Sequence, residues 1–232
     1  MDNRPIGVFD SGLGGLTAVR EIMQRLPDEN IVYFGDTGRV PYGARSKETI
    51  IKYTRQDIRF LQQFDCKTLV IACGTASSVA LDTVCDDYGI PIIGVVKATA
   101  HRACCATRNG KIGVIGTHAT IQSGSYVRLI AEENAALTTF AAACPLFVPL
   151  VENGRIAPED AILKLAVAEY LAPLRDAGVD TLILGCTHYP IIAQAIGAFM
   201  GDGVTLINPG YEAARYLSDM PEFQPCAARH GS

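Results

Sequence analysis

Short apolar runs alternate with longer amphipathic segments along most of the chain. The runs are rich in Val, Ile and Leu, which is typical of strands that are buried on both faces. The helix-period segments between them include Leu16–Leu26, Ser46–Phe64 and Pro158–Ala177, the last with Pro158 in its first turn. This alternation predicts an α/β fold with mainly parallel sheets. The predicted strands are Ile6–Phe9, Ile31–Phe34, Thr68–Ala72, Ile92–Val95, Lys111–Ile115, Leu146–Pro149, Thr181–Leu184 and Thr205–Ile207.

A weak internal repeat divides this pattern in two. Ile6–Asp10 resembles Ile112–Gly116, and Thr68–Thr75 resembles Thr181–His188, in the same order along the chain. Strands rich in Val and Ile also resemble one another by chance, so the repeat alone leaves the question open. It favours two similar α/β domains related by pseudo-symmetry. We expect a first domain at 1–97 plus 207–232 and a second at 98–206.

The composition narrows the class of protein. Hydrophobic residues make up 49 % of the 232 residues and charged residues 19 %, which is enough for a buried core. The net charge of −4 argues against a protein that covers phosphates with a basic face, so we expect no nucleic-acid partner. The sequence has no apolar run long enough to span a bilayer, and its start lacks the features of a signal peptide. We therefore expect a cytoplasmic protein with no membrane partner.

The eight cysteines divide into two groups by position. Cys73 and Cys186 each follow a predicted strand of the repeat, where the ligands of parallel α/β sheets gather. A thiol beside helix N-termini and small hydroxyl residues can serve as a base or nucleophile. The sequence contains no CxxC pair, which removes the usual signature of zinc ribbons and thioredoxin-like proteins. Packing as small hydrophobic residues suffices for the others, which are Cys66, Cys85, Cys104, Cys105, Cys144 and Cys226.

Polar residues near these cysteines extend the candidate site. His188 is close enough to Cys186 in the chain to share its site and assist proton transfer. Thr117 and Thr120 follow another strand and could hold a carboxylate, although threonine there is more often a helix cap. The glycines after Asp10 do not complete a dinucleotide-binding pattern, so phosphate binding is disfavoured. Of the other histidines, His118 could simply face solvent, and His101 and His230 have no supporting context.

Taken together, several segments resemble glutamate racemase, of the cofactor-independent aspartate/glutamate racemase superfamily. They run in the family's order and cover most of the chain. Each motif alone is a modest match to the family, and the resemblance is specific because the motifs occur together in the family's order. The matching segments are Gly7–Gly15, Gly35-Asp36, Arg39–Gly43, Ala72-Cys73, Gly116-Thr117, Ala119-Thr120, Pro149–Glu152 and Gly185–Pro190.

The resemblance implies that the substrate lies between two domains that each donate one catalytic cysteine. Asp10 would assist Cys73, and His188 would assist Cys186. It implies glutamate as the small-molecule substrate, D-glutamate for peptidoglycan as the product, and no cofactor and no metal; a homodimer stays open. Asp36 and Glu152 match acidic family positions whose roles are less settled. The implied substrate-binding residues are Ser11, Pro41, Tyr42, Gly43, Gly74, Thr75, Thr117, Thr120 and Thr187.

The sequence also departs from the family's pattern. Gly74 stands where the family usually has Asn, so one side-chain hydrogen bond to the substrate is lost, and the glycine could leave room for another group or a water. The stretch Val95–Thr99 also differs from the family's usual residues. Three alternatives therefore remain. They are a racemase of aspartate or another small substrate, a catalytically reduced paralogue that binds an amino acid or a protein, and a thiol redox protein. The lack of a nearby resolving cysteine disfavours the last.

Overall fold

The computed structural model describes residues 2–223, so Cys226, His230 and the end of the predicted first domain lie outside the described residues. The first half alternates strands and helices: β1 (Ile6–Asp10), α1 (Leu16–Arg25), β2 (Ile31–Gly35), α2 (Lys47–Gln62), β3 (Thr68–Ile71), α3 (Gly74–Val79), α4 (Leu81–Val84) and β4 (Ile92–Gly94). The second half follows: α5 (Val95–Ala106), β5 (Lys111–Gly116), α6 (His118–Gln122), α7 (Ser125–Glu133), β6 (Thr138–Ala143), α8 (Phe147–Glu152), α9 (Ala161–Asp176), β7 (Thr181–Leu184), α10 (Ala193–Met200), β8 (Thr205–Ile207) and α11 (Pro209–Ser218). Short 3₁₀ turns cover Tyr42–Ala44, Tyr189–Ile192 and Pro221–Phe223.

Within residues 2–223 the strands form two parallel sheets of four strands with the same internal order. The first sheet runs β2-β1-β3-β4 and the second β6-β5-β7-β8. The register matches as well, because Ile6 pairs with Thr68 in one sheet and Ile112 with Thr181 in the other. The predicted α/β fold with two similar halves is therefore confirmed.

The strand sequences place apolar side chains on both faces of each sheet. In β1, Ile6 and Val8 join one buried cluster, whereas Phe9 joins the cluster on the opposite face. In β5, Val114 and Ile115 likewise join clusters on opposite faces of the second sheet. Because successive side chains of a strand point to opposite sides, a continuous apolar run needs a helical layer on each face. The helices of each half therefore cover both faces of its sheet.

Two helices connect the halves. Helix α5 starts directly after the last strand of the first sheet, yet its residues Val96 and Ala100 pack in the core of the second sheet. Helix α11 contributes Ala213 to that core and Leu217 to the core of the first sheet. The predicted boundary near residue 97 falls inside the unbroken helix α5, and the domain limits stay a prediction.

One predicted strand is wrong. Leu146–Pro149 does not form a strand; Phe147–Glu152 is helix α8, and the edge strand next to β5 is β6. The run is apolar because Phe147 is fully buried against Tyr170 and Tyr189, and proline is tolerated in the first turn of a helix. Strand β6 consists of two threonines, one phenylalanine and three alanines, so its sequence lacks the Val and Ile signal that marks the other strands.

One predicted helix start is also wrong. Helix α9 begins at Ala161, and Pro158 lies before it. Asp160 is the N-cap, because its Oδ1 accepts hydrogen bonds from the N–H groups of Ile162 at 3.0 Å and Leu163 at 2.9 Å. The Asp160 carboxylate thus satisfies two of the backbone N–H groups that have no partner within the helix at its first turn.

The helices of the described part are short for membrane-spanning elements. Helices α2 and α9 have 16 residues each, whereas a span takes about 20 apolar residues. Within residues 2–223, no helix combines the length and the apolar character needed to cross a bilayer.

Candidate active site

A small cavity of about 30 Å³ lies between the carboxyl ends of the two sheets. Loops that follow β1, β2 and β3 line it from the first half, and residues that follow β5 and β7, with α8, line it from the second. The structure thus brings together most of the predicted site residues. The cavity is lined by Ser11, Val40, Pro41, Tyr42, Gly43, Cys73, Gly74, Thr75, Thr117, Val148, Glu152, Cys186, Thr187 and His188.

Cys73 occupies the turn between β3 and α3. Its Sγ lies 3.4 Å from Ser11 Oγ and accepts a hydrogen bond of 3.4 Å from the N–H of Ala76, which makes Cys73 the N-cap of α3. Burial and the nearby charge of Asp10 raise the pKa of the Cys73 thiol to about 11, against the lowering effect of these hydrogen bonds. A raised pKa favours the thiol form of this group at neutral pH.

Cys186 occupies the matching turn after β7. Its Sγ lies 3.8 Å from Nδ1 of His188, and its side chain is 8 % exposed. Burial raises the pKa of the Cys186 thiol, and negative charge on Asp10 or on Cys73 raises it further. Since a thiolate at Cys73 opposes ionisation of Cys186, the state with one thiolate and one thiol is favoured over the state with two thiolates.

His188 connects Cys186 to a carboxylate. Nε2 of the buried His188 lies 3.2 Å from Oε1 of Glu152 on α8. The Glu152 side chain is 47 % exposed, so this chain of groups runs from the buried sulfur to solvent. An imidazole between a thiol and a carboxylate is suited to moving a proton.

Asp10 lies beneath the cavity at the contact between the halves. Its Oδ2 accepts a 2.9 Å hydrogen bond from the N–H of Gly12, and its Oδ1 accepts a 3.2 Å hydrogen bond from Oγ1 of Thr187 in the other half. Burial raises the pKa of Asp10, and the charge of His188 opposes that rise. The carboxyl group influences both thiols through its charge, because it raises the pKa of Cys73 and of Cys186.

Three threonines form a chain of hydroxyl contacts that links the two halves beside the cavity. Oγ1 of Thr75 lies 2.9 Å from Oγ1 of Thr117, which lies 3.0 Å from Oγ1 of Thr120. Thr117 is also the N-cap of α6, because its Oγ1 accepts a 3.2 Å hydrogen bond from the N–H of Thr120. Thr120 is buried behind Thr117 and does not line the cavity. Thr117 thus both caps helix α6 and lines the cavity.

Tyr42 is held by a buried ionic cluster that sequence analysis predicted only in part. Its Oη contacts the Asp36 carboxylate and lies 2.8 Å from Oδ2 of Asp57. Arg39 bridges the carboxylates, with Nε 2.6 Å from Asp36 and Nη2 2.7 Å from Asp57. Asp36 therefore lies behind Tyr42 and does not line the cavity. Asp57 was missed, and its sequence signal is a carboxylate within the apolar stripe of α2.

Gly74 does not leave open space. A Cβ at this position would overlap with the carbonyl oxygen of Gly185. The expectation that the glycine leaves room for another group is therefore wrong for this closed arrangement. Gly14 makes a similar approach, since a Cβ there would overlap with Thr187 and His188. Glycine at these positions allows the halves to approach closely beside the cavity, backbone to backbone at Gly74 and backbone to side chain at Gly14.

Among residues 2–223, the other cysteines and histidines do not line the cavity. Cys66 and Cys144 are buried as predicted, and Cys85 and Cys104 are partly buried. Cys105 is exposed, so the prediction that packing explains it is wrong. His118 is exposed, in agreement with the solvent-facing interpretation, and His101 pairs with Glu133 on the surface.

Comparisons with known proteins agree with this geometry. The model of the Asp/Glu/Hydantoin racemase family matches residues 11–217. The glutamate racemase of Geobacter metallireducens is 46 % identical over 94 % of this chain and 80 % of its own.

Two solved structures share the fold. A glutamate racemase isoform from Bacillus anthracis has a TM-score of 0.90 at 42 % identity, over 94 % of this chain and 81 % of that one. The glutamate racemase of Francisella tularensis, in complex with D-glutamate, has a TM-score of 0.87 at 43 % identity, over 94 % of this chain and 80 % of that one. The order of motifs, the paired sheets and these relatives establish that the chain belongs to the Asp/Glu/Hydantoin racemase family, and within it to the glutamate racemases.

Proposed function

We propose that this isomerase interconverts L-glutamate and D-glutamate by proton transfer at the α-carbon, with Cys73 and Cys186 as the two bases. The observation that carries the proposal is that the two buried thiols, one from each half, line a single cavity. Inversion needs a proton removed from one face of the carbon and returned to the other. Two groups on opposite sides achieve this without moving around the substrate.

The electrostatics of the pair support an alternating mechanism. One sulfur must be a thiolate that accepts the α-proton while the other is a thiol that donates one. Because charge on Cys73 raises the pKa of Cys186, a singly ionised pair is the stable ionised form. After each turnover the thiolate and thiol have exchanged places, and the site is ready for the opposite enantiomer. A raised thiol pKa also makes the corresponding thiolate a stronger base.

The surroundings of each sulfur complete the proposal. His188 and Glu152 would return protons to Cys186, and Asp10 and Ser11 would set the charge and hydrogen bonding at Cys73. Thr75, Thr117 and the N–H groups at the starts of α3 and α6 offer donors for a substrate carboxylate. Fixed donors in a water-excluding cavity are what a weakly acidic α-proton requires, since they stabilise the developing negative charge.

Substrate entry requires the halves to separate. A cavity of about 30 Å³ holds one or two waters and not an amino acid. Gly74 and Gly185 meet in the closed arrangement, so the gap must widen along this contact before glutamate can bind. Closure then excludes water from the reacting carbon.

Glutamate is proposed over aspartate on the strength of the relatives. The Geobacter protein carries the name glutamate racemase at 46 % identity, and the Francisella protein binds D-glutamate. D-glutamate made by this reaction would supply peptidoglycan synthesis. We also propose a cytoplasmic location, because both thiols must stay reduced to act as bases.

Separate incubations with L-glutamate and L-aspartate, followed by chiral chromatography, test the function. We expect D-glutamate to form at least 10-fold faster than D-aspartate, on the order of what one methylene contributes to specificity. Cys85→Ser, a substitution outside the cavity, is the matched control and should retain full activity. Faster racemisation of aspartate would contradict the proposed substrate. Racemisation of neither by the folded protein would contradict the activity and favour a paralogue that only binds.

A further inference from the structure

Three side chains with metal-binding atoms lie together on the surface of the second half. His101 and Cys105 are one helical turn apart on α5, and Glu133 is the last residue of α7. One potential ligand atom from each lies within 4.8 Å of the others. The cluster contains none of the residues that line the cavity.

The geometry of the pair on α5 fits a thiophilic cation. Sγ of Cys105 lies 3.8 Å from Nε2 of His101. With Zn–S of about 2.3 Å and Zn–N of about 2.0–2.1 Å at a tetrahedral angle, these two ligand atoms stand about 3.6 Å apart. A change of a few tenths of an ångström in two exposed side chains therefore accommodates one ion between them.

Glu133 already makes the contact that a metal-binding histidine needs. Its Oε1 lies 2.8 Å from Nδ1 of His101, on the side of the ring opposite Nε2. A carboxylate that accepts a hydrogen bond from Nδ1–H fixes the ring and leaves the Nε2 lone pair free for a metal. Such a carboxylate is a usual partner of a metal-binding histidine. The His101 and Glu133 side chains are 59 % and 34 % exposed, so the site is open to solvent.

We propose that Nε2 of His101 and Sγ of Cys105 bind a divalent cation of the zinc type, with Glu133 positioning the imidazole. Binding replaces the proton on the Cys105 thiol, which passes to solvent, and water fills the remaining coordination positions. The ion would tie the exposed face of α5 to the end of α7. This site is separate from the proposed reaction at Cys73 and Cys186 and does not depend on it.

Cobalt substitution tests the site in the full-length protein. We expect addition of Co²⁺ to give a near-ultraviolet thiolate-to-cobalt charge-transfer band, and addition of Zn²⁺ to remove it. Cys105→Ser and His101→Ala should abolish the band. Cys85→Ser is the matched control, because Cys85 is a partly buried thiol of the first half and lies outside the three-residue cluster.

Glu133→Gln provides a second measurement. It should retain the band but weaken Zn²⁺ binding by about 10- to 100-fold, the usual effect of removing a partner of a metal-bound histidine. Circular dichroism and racemase activity without metal should be unchanged in all four variants, since their side chains lie on the surface or away from the cavity. No band in the wild-type protein, a band that persists in Cys105→Ser, or an equal loss in Cys85→Ser would overturn the proposal.

Discussion

Gly74 and Gly185 meet across the two halves so closely that a Cβ on Gly74 would overlap with the Gly185 carbonyl oxygen. These residues flank the two thiols, because Gly74 follows Cys73 and Gly185 precedes Cys186. The close approach of the halves beside the two thiols therefore depends on the absence of a side chain at Gly74.

Gly74→Ala should keep the halves from closing fully. The added methyl group meets backbone, which cannot rotate away, so we expect a loss of about 1–3 kcal/mol in the free energy of unfolding. We also expect a lower kcat, because the thiols stand farther apart. Denaturant unfolding and steady-state kinetics measure both effects. Gly203→Ala is the control, since nothing lies within 4 Å of a Cβ there; equal effects in the two variants would argue against a specific contact between the halves.

Cys73→Ser and Cys186→Ser should each abolish racemisation. A serine hydroxyl is a far weaker acid than a thiol, so we expect losses on the order of 10²–10⁴-fold or more. Each variant should still eliminate HX from a suitable substrate analogue, but from one enantiomer only, because one base remains. Elimination assays with both enantiomers of the analogue measure this. Full racemase activity in Cys186→Ser would show that Cys186 is not one of the two bases.

The rate should rise with pH above neutrality. Burial and the charge of Asp10 raise the pKa of Cys73 to about 11, so the thiolate fraction increases with each added pH unit below that value. We expect kcat/KM to climb by about tenfold per pH unit between roughly pH 7 and pH 9, if the reactive form is the singly ionised pair. Initial rates in buffers of constant ionic strength test the slope; a profile that is flat over this range would show that a thiolate is already present at pH 7.

Glu152→Gln should slow proton transfer at Cys186 more than it changes binding. The Glu152 carboxylate contacts Nε2 of His188, and its half-exposed side chain leaves the core undisturbed. We expect kcat to fall by about 10-fold or more with little change in the melting temperature. Because the equilibrium constant of a racemisation is unity, kcat/KM should fall equally for the two enantiomers, whereas kcat and KM taken separately can differ between the two reaction directions. A rise in KM with kcat unchanged for both enantiomers would assign Glu152 to substrate binding.

The sequence predicts the parts of the site that depend on local pattern. Buried parallel strands have a strong apolar signal, and ligand sites follow their ends, so Cys73 and Cys186 could be assigned from their position after β3 and β7. The repeat likewise predicted two similar α/β halves, and the two sheets share one strand order. These features depend on neighbours in the chain.

Features that depend on distant parts of the chain could not be predicted in this way. The alanine-rich strand β6 has little intrinsic preference and is fixed by pairing with β5. Asp57 contacts Tyr42, and Arg39 contacts Asp57, and periodicity does not reveal these contacts. The contact of Gly74 with Gly185 joins positions that only the packing of the halves brings together.

The isotopic pattern of the first turnovers in deuterated water tests the two-base mechanism most directly. Starting from L-glutamate, the account predicts that newly formed D-glutamate carries deuterium at the α-carbon while the remaining L-glutamate keeps its proton, because one thiol removes the proton and the other delivers deuterium. Mass spectrometry of the separated enantiomers at low conversion measures both pools. D-glutamate that retains the substrate's own proton, or early deuterium in the recovered L-glutamate, would contradict the assignment of Cys73 and Cys186 as opposed bases.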